Sequence, residues 1–137
     1  GYAIKGDHIQ LKSSWTKGWR ARTVPIRNHE QRRLLNEVRI FVKGGSLIPP
    51  DRNNVQQMHS YERQLRNAGM TKLHGLRHAY AQRRYEELTG WKAPAAGGPA
   101  SKSLTTNQRA LDLKARVTIS LELGHNREAI SAVYLGR

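Results

Sequence analysis

The sequence predicts an α+β protein, mainly helical, with a small antiparallel β-hairpin or sheet at the N-terminus packed on a helical bundle. Three observations predict it. Polar and apolar residues alternate in His8-Ile9-Gln10-Leu11-Lys12-Ser13, the period of a half-buried strand. From Asn28 onward apolar residues recur at helical spacing. Gly and Pro then punctuate the chain where helices must stop and turns must form.

Taken in order, the elements are as follows. Arg22-Thr23-Val24-Pro25-Ile26 is a second β-prone run, which Pro25 confines to a sheet edge or strand end. Gly18 suits the turn between the runs, so residues 1–27 read as a β-hairpin region with Lys17 near its tip. Asn28 and Gln31 have the spacing of a capping box, and Leu34, Leu35, Val38, Phe41 and Val42 mark the buried face of the helix they open. Gly44-Gly45 ends it. After the loop at Ile48-Pro49-Pro50-Asp51, a helix carries Val55, Met58, Tyr61 and Leu65 on one face and stops at Gly69. A densely charged helix, Leu73 to Leu88, closes the helical stretch 28–88.

Residues 89–104 hold Pro94, Gly97, Gly98 and Pro99 among small side chains and read as a loop or partly disordered insert. Residues 105–137 return to helix. Thr105 or Thr106 caps it, Ala110, Leu113, Val117 and Leu121 form its expected core side, and Gly124 terminates it. A short helix from about Asn126 to Val133 completes the chain. There is no internal repeat. A length of 137 residues fits a single domain.

Charge narrows the partner. Twenty-four Lys and Arg face ten Asp and Glu, a formal net charge of +14. Such an excess points to a polyanion, above all nucleic acid. An anionic membrane would call for a basic amphipathic helix with bulky apolar residues opposite, or a lipidation signal, and neither is present. No apolar run approaches the roughly 18 residues of a membrane span, and no signal peptide opens the chain. There is no Cys, which excludes disulfides, cysteine nucleophiles and thiolate metal sites. Opening on Gly1 rather than Met, the sequence reads as a piece of a longer protein.

Three strings remain to be explained together: Thr16-Lys17-Gly18-Trp19-Arg20-Ala21-Arg22-Thr23-Val24-Pro25-Ile26, then His74-Gly75-Leu76-Arg77-His78, then Leu123-Gly124-His125 with Tyr134 nine residues on. Singly, each has a plain explanation. Lys17 is a solvated hairpin cation, Arg77 one more charge on a basic helix, and Tyr134 a half-buried packing residue. Tyr61, Tyr80 and Tyr85 are read as packing residues. Trp15 and Trp19 either pack on the hairpin or touch a sugar, with packing favoured. Arg20 and Arg22 are read as phosphate contacts. His74 and His78 have the spacing of a helical metal pair, but no third ligand accompanies them. His78 is therefore read as a structural hydrogen-bonding residue and no metal is expected. Nine residues at 100° each put His125 and Tyr134 on opposite sides of one continuous helix. They converge only if the chain breaks between them, which Gly124 and a cap at Asn126 provide.

Taken jointly, these strings resemble the catalytic domain of the tyrosine recombinases, the phage integrase family. That family has a hairpin Lys eight residues before the Pro of a Val-Pro-Leu-like strand, a His-x-x-Arg motif opening a helix, a Leu-Gly-His triplet, and a Tyr nine residues after its His. Lys17 with Pro25, His74 with Arg77, Leu123 to His125, and Tyr134 match in that order, across nearly the whole chain. Two departures stand out. A further catalytic Arg, normally upstream of the hairpin Lys, has no match among the sixteen residues before Lys17, nor is the family's upstream DNA-gripping domain present. Arg77 and His125 are also 48 residues apart, about twice the usual separation, the excess falling at roughly 86–106.

The resemblance implies a partial recombinase catalytic fold and a site-specific recombinase that cleaves and rejoins double-stranded DNA through a 3′-phosphotyrosyl link. Tyr134 would be the nucleophile, Arg77 would stabilise the phosphate charge, Lys17 would protonate the leaving 5′ oxygen, His74 would assist proton transfer, and His125 would hydrogen-bond the phosphate. Arg20 and Arg22 would contact DNA. No cofactor, metal, membrane or small-molecule substrate is implied. Full-length relatives act as homotetramers on two DNA sites, in the bacterial cytoplasm or nucleoid. Without the upstream Arg, this chain is expected to be inactive or weakly active. The alternative is a noncatalytic basic nucleic-acid-binding module, which does not require these side chains to converge.

Overall fold

A computed structural model describes residues 3–16, 18–71, 73–125 and 131–137. Its elements are β1 (Ile4–Lys5), β2 (His8–Leu11), β3 (Arg22–Pro25), α1 (His29–Val42), α2 (Asn54–Asn67), α3 (Gly75–Thr89), α4 (Thr106–Glu122) and α5 (Ser131–Leu135). The chain is therefore α+β and mainly helical, with a small three-stranded sheet. It divides into two compact units, Gly1–Leu11 with Thr23–Lys72, and Lys12–Arg22 with Leu73–Arg137.

In the first unit the sheet runs β1-β2-β3, and β1 pairs antiparallel with β2 so that Ile4 faces Ile9. At two residues, β1 is too short to show a sequence period. Ile9, Val24, Pro25 and Ile26 form one wall of a groove, and Gln31, Leu34 and Leu35 of α1 form the other. Within this unit the sheet's neighbour is thus α1. Asn28 caps α1 through its side chain, which accepts from the Gln31 N–H at 2.9 Å. The return arm differs from a capping box: the Gln31 side-chain Oε1 accepts from the Arg27 N–H, one residue earlier. Asn53 and Gln56 make the complete box at the start of α2.

The expected core faces of these two helices are only partly covered. Leu35, Val38, Val42 and Leu65 are half-buried, but Leu34, Val55, Met58 and Tyr61 are exposed, and Phe41 is 78% exposed. Neither helix has a buried residue. Helical spacing defines an apolar face; coverage needs a second element lying on it.

The second unit has a closed core. Ala81, Tyr85, Ala93, Ala115, Ile119, Tyr134 and Leu135 pack together, with Leu88, Trp91 and Leu123 at the edge. Here α4 corrects the sequence expectation. Its buried residues are Asp112, Ala115, Arg116, Ile119 and Ser120. Ala110, Leu113, Val117 and Leu121 face outward, Leu113 at 54% and Leu121 at 55% exposure. The reason is a satisfied polar cluster. Arg116 Nε donates to both Asp112 oxygens at 2.8 and 3.0 Å, the Tyr85 hydroxyl donates to Asp112, and Arg116 Nη1 donates to the Gly136 carbonyl. Buried charges are tolerated when paired and hydrogen-bonded, and this pairing turns the helix by about a third of a turn from its apolar stripe.

Residues 89–104 form a loop, and an ordered one. They make two 3₁₀ turns, Pro94–Ala96 and Ser101–Ser103, and insert Ala93 and Leu104 into the interior. The Thr89 hydroxyl donates to the Tyr85 carbonyl at 2.8 Å, and Gly98 N–H to Ala93 at 2.9 Å. A Cβ on Gly98 would fall 1.7 Å from the Lys92 carbonyl, so the glycine is required there by close backbone approach. The Gly/Pro composition that suggested partial disorder serves tight turns over a core.

Tyr85 is fully buried and the Tyr80 hydroxyl donates to Glu122, whereas Tyr61 is exposed rather than packed. Trp15 and Trp19 also depart from the packing expected of them. Both are exposed, Trp19 at 77%, and the Lys12 ammonium lies 5.2 Å from the centre of the Trp15 ring. The connection from β2 to β3 opens with a 3₁₀ turn, Ser13–Trp15, and the Thr16 hydroxyl is clamped to the Arg20 backbone. Lys17 lies outside the described residues, as do residues 126–130 and the cap expected at Asn126. The last helix extends to Leu135, two residues past the expected end.

No described helix is long and apolar enough to cross a membrane.

Candidate active site

Three chain segments of the second unit supply the site. The first is the start of α3. His74 precedes the helix in helical conformation, and the Arg77 N–H donates to its carbonyl at 3.0 Å. Spacings of three and four residues then set His74, Arg77 and His78 on one face.

The second is the end of α4. Gly124 N–H bonds to the Leu121 carbonyl and His125 N–H to the Ser120 carbonyl, the paired bonds of a Schellman cap. Gly124 has φ +83°, the left-handed conformation this cap needs. The cap leaves the Leu123 carbonyl free, and two guanidinium groups use it. Arg77 Nη2 donates to it at 2.7 Å and Arg22 Nη1 at 3.2 Å. A Cβ on Gly124 would lie 1.7 Å from Arg22 Nη1, so this glycine also makes room for the second arginine. Each residue of Leu123-Gly124-His125 therefore has a local physical role: acceptor, turn and imidazole.

The third is α5, which carries Tyr134, only 5% exposed. Its backbone carbonyl accepts from Gln82 Nε2 at 3.2 Å, which ties α5 to α3. Its ring sits in a cage of site residues. His78 meets it edge-on at 4.9 Å between centroids, His125 stacks at 6.1 Å, His74 lies at 6.2 Å, and the Arg77 guanidinium carbon is 6.0 Å from the ring centre. The Tyr134 hydroxyl is 3.4 Å from His125 Nε2, and Arg77 Nη2 is 3.4 Å from the same nitrogen.

The electrostatics decide which way these contacts point. Burial lowers the His125 pKa below its ordinary 6.5, and the positive charges of Arg77, Arg20 and Arg22 lower it further. His125 is therefore neutral at pH 7. Arg77 can only donate, so Nε2 is the acceptor and the ring proton sits on Nδ1. The Tyr134 hydroxyl then shares the single Nε2 lone pair with the Arg77 donor, and a tyrosine facing such a nitrogen can lose its proton to it.

Neither Arg22 nor Arg77 forms an ion pair among the described residues. The unit's other inward arginines do: Arg84 pairs with Glu122 at 3.0 Å and Arg116 with Asp112 at 2.8 Å. Two guanidinium nitrogens held within about 6 Å repel on the order of 2–3 kcal/mol at an effective dielectric near 20. Among the described residues no group of three His, Cys, Asp or Glu is placed to hold a metal.

Of the residues singled out in the sequence, His74, Arg77, His125 and Tyr134 come together. Lys17 cannot be assigned a place, being outside the described residues. Arg20 is exposed and close enough for its charge to act on His125. Arg22 differs from a solvent-facing phosphate contact: it is half-buried and turned onto Leu123. His78 contributes a ring contact to Tyr134. The contact from Arg22 to Leu123 spans 101 residues and has no signature in the sequence.

No family model matches the chain, and no curated protein or solved structure shows significant similarity to it.

Proposed function

We propose that this chain is the catalytic part of a tyrosine-type site-specific DNA recombinase of the phage integrase kind, with the corresponding catalytic fold. The observation that carries this reading is the meeting of the Tyr134 hydroxyl with the His125 imidazole across the break that ends α4, and with the Arg77 guanidinium 48 residues before that imidazole. A noncatalytic binding module has no need of that meeting.

The chemistry runs as follows. The Tyr134 oxygen attacks the scissile phosphorus while its proton passes to His125 Nε2. His125 thus takes the proton-transfer role expected of His74 and not the phosphate hydrogen bond expected of it. The new O–P bond forms as the bond from phosphorus to the 5′ oxygen breaks. The departing oxygen takes a proton from the Lys17 ammonium, leaving a 5′ hydroxyl and a 3′-phosphotyrosyl link. Arg77 neutralises charge on a nonbridging oxygen through the paired donors of its planar fork. His74, exposed beside Tyr134, relays protons or bonds the phosphate. A 5′ hydroxyl from a partner duplex reverses the steps and reseals the strand. The substrate is double-stranded DNA, and the working assembly is a homotetramer on two DNA sites, serving integration or excision of a mobile element.

The test is trapping on a suicide duplex, nicked beside the scissile position so that the cleaved end diffuses away. Because the target sequence is unknown, the duplex is a pool randomised on both flanks. A covalent protein–DNA adduct that survives denaturation and maps to Tyr134 is expected to accumulate slowly, because the family's upstream Arg has no match in this sequence, and Tyr134→Phe should abolish it. Adduct formation undiminished in Tyr134→Phe would overturn the reading.

A further inference from the structure

We propose that Arg22 is a second anion-binding residue of this site, which grips a nonbridging oxygen of the scissile phosphate beside Arg77. The inference rests on the recombinase reading for the identity of the anion. The geometry that suggests it stands independently.

Three observations converge on it. Arg22 and Arg77 donate to the same oxygen, the Leu123 carbonyl, from the two separate chain segments of the unit. A shared acceptor at 3.2 and 2.7 Å holds the two nitrogens within about 6 Å of each other. Each guanidinium has also buried its Nε–H without giving it an acceptor. Buried donors in folded proteins are almost always satisfied, and a desolvated, charged donor is among the costliest to leave unmade. Finally, neither has a carboxylate partner among the described residues, although Arg84 and Arg116 in the same unit are each matched with one. Two cations side by side, each with an unused buried donor, form a receptor for a doubly hydrogen-bonding anion. A phosphodiester offers two nonbridging oxygens to such a pair.

A competing role is purely structural, in which Arg22 only caps the carboxyl end of α4 through Leu123. The experiment must separate the two. The intact chain is labelled with ¹⁵N and titrated with inorganic phosphate at constant ionic strength. Its arginine Nε–H signals are followed. Arg22 and Arg77 should shift together with one saturable affinity, while the carboxylate-paired Arg84 and Arg116 stay still. Arg22→Lys retains a cation that can reach Leu123 and so protects the fold. It should nevertheless weaken phosphate binding, read at Arg77, by about tenfold. An Arg22 signal that stays still while Arg77 saturates, or an unchanged affinity in Arg22→Lys, would overturn the proposal. So would shifts that never saturate.

A second arm uses the randomised suicide duplex. Arg22→Ala should lower the rate of adduct formation about a hundredfold, the usual effect of removing one preorganised donor. A methylphosphonate at the scissile position removes the charge that Arg22 neutralises. On that duplex, Arg22→Ala and the unaltered chain should react within a fewfold of each other. A structural cap would give the same deficit on both duplexes. Absence of any adduct from the unaltered chain on either duplex counts against the recombinase reading, and the phosphate titration still decides Arg22. An adduct formed equally well by Arg22→Ala removes Arg22 and leaves the recombinase reading standing.

Discussion

The Nε2 atom of His125 lies 3.4 Å from the Tyr134 hydroxyl, although nine residues at helical pitch would set the two side chains on opposite sides of a helix. The Schellman cap at Gly124 ends α4 and makes this approach possible. The pair also sets the first prediction.

Because burial and three arginines hold His125 below the ordinary 6.5, the unfolded chain accepts a proton that the folded chain refuses. Stability from this residue is complete above 6.5 and falls as the pH drops below it. Adduct formation should follow the same titration, flat above 6.5 and declining once His125 is protonated. Imidazole proton shifts measured against pH check the first part. A His125 midpoint at or above 6.5 would contradict it.

The two faces of α4 differ sharply in what they contribute. Ile119→Ala removes a fully buried side chain and should cost about 2–5 kcal/mol in urea denaturation. Leu121→Ala, on the apolar stripe that faces outward, should cost less than about 1 kcal/mol. Equal losses would mean that the stripe is covered in solution.

Asp112 holds two partners, the Tyr85 hydroxyl and the Arg116 guanidinium. Tyr85→Phe leaves the ion pair intact and should cost about 1 kcal/mol. Asp112→Ala strands a buried guanidinium and should cost about 3–5 kcal/mol. Burial, with the neighbouring Asp112, pushes the Tyr85 phenol up to about 12. Its ionisation, followed by ultraviolet absorbance, should therefore come well above the ordinary phenol value of 10.0.

Gly124→Ala places a Cβ 1.7 Å from Arg22 Nη1 at φ +83°. The strain alone should cost about 1–3 kcal/mol. Arg22 must also withdraw, which takes one positive charge from the neighbourhood of His125. The His125 pKa should rise toward 6.5 as a result, and nuclear magnetic resonance titration of the variant reads it directly. An unchanged His125 midpoint would show that Arg22 had not moved.

With a net charge of +14, binding to duplex DNA should be dominated by counterion release. Affinity measured by fluorescence anisotropy should drop by at least about tenfold between roughly 50 and 200 mM salt. A flat salt response would argue that nucleic acid is the wrong partner.

Most of the helices and their stops were legible in the sequence because they depend on neighbours a few residues away, whereas the two-residue β1 was not. Asn28, Thr105, Gly69 and Gly124 work as caps and stops through local hydrogen bonds and backbone conformation, and those are written in consecutive residues. The candidate site was legible as motif spacing, and His74, Arg77, His125 and Tyr134 do meet. Which face of α4 is buried was not legible, because periodicity assigns Asp112 and Arg116 to solvent. Tertiary partners make their burial tolerable, the Tyr85 hydroxyl on α3 donating to Asp112 and the Gly136 carbonyl accepting from Arg116. The inward turn of Arg22 was equally hidden. A guanidinium in a basic stretch has the same sequence signature whether it meets water or a carbonyl 101 residues away, and only the packing of the chain brings that carbonyl within reach.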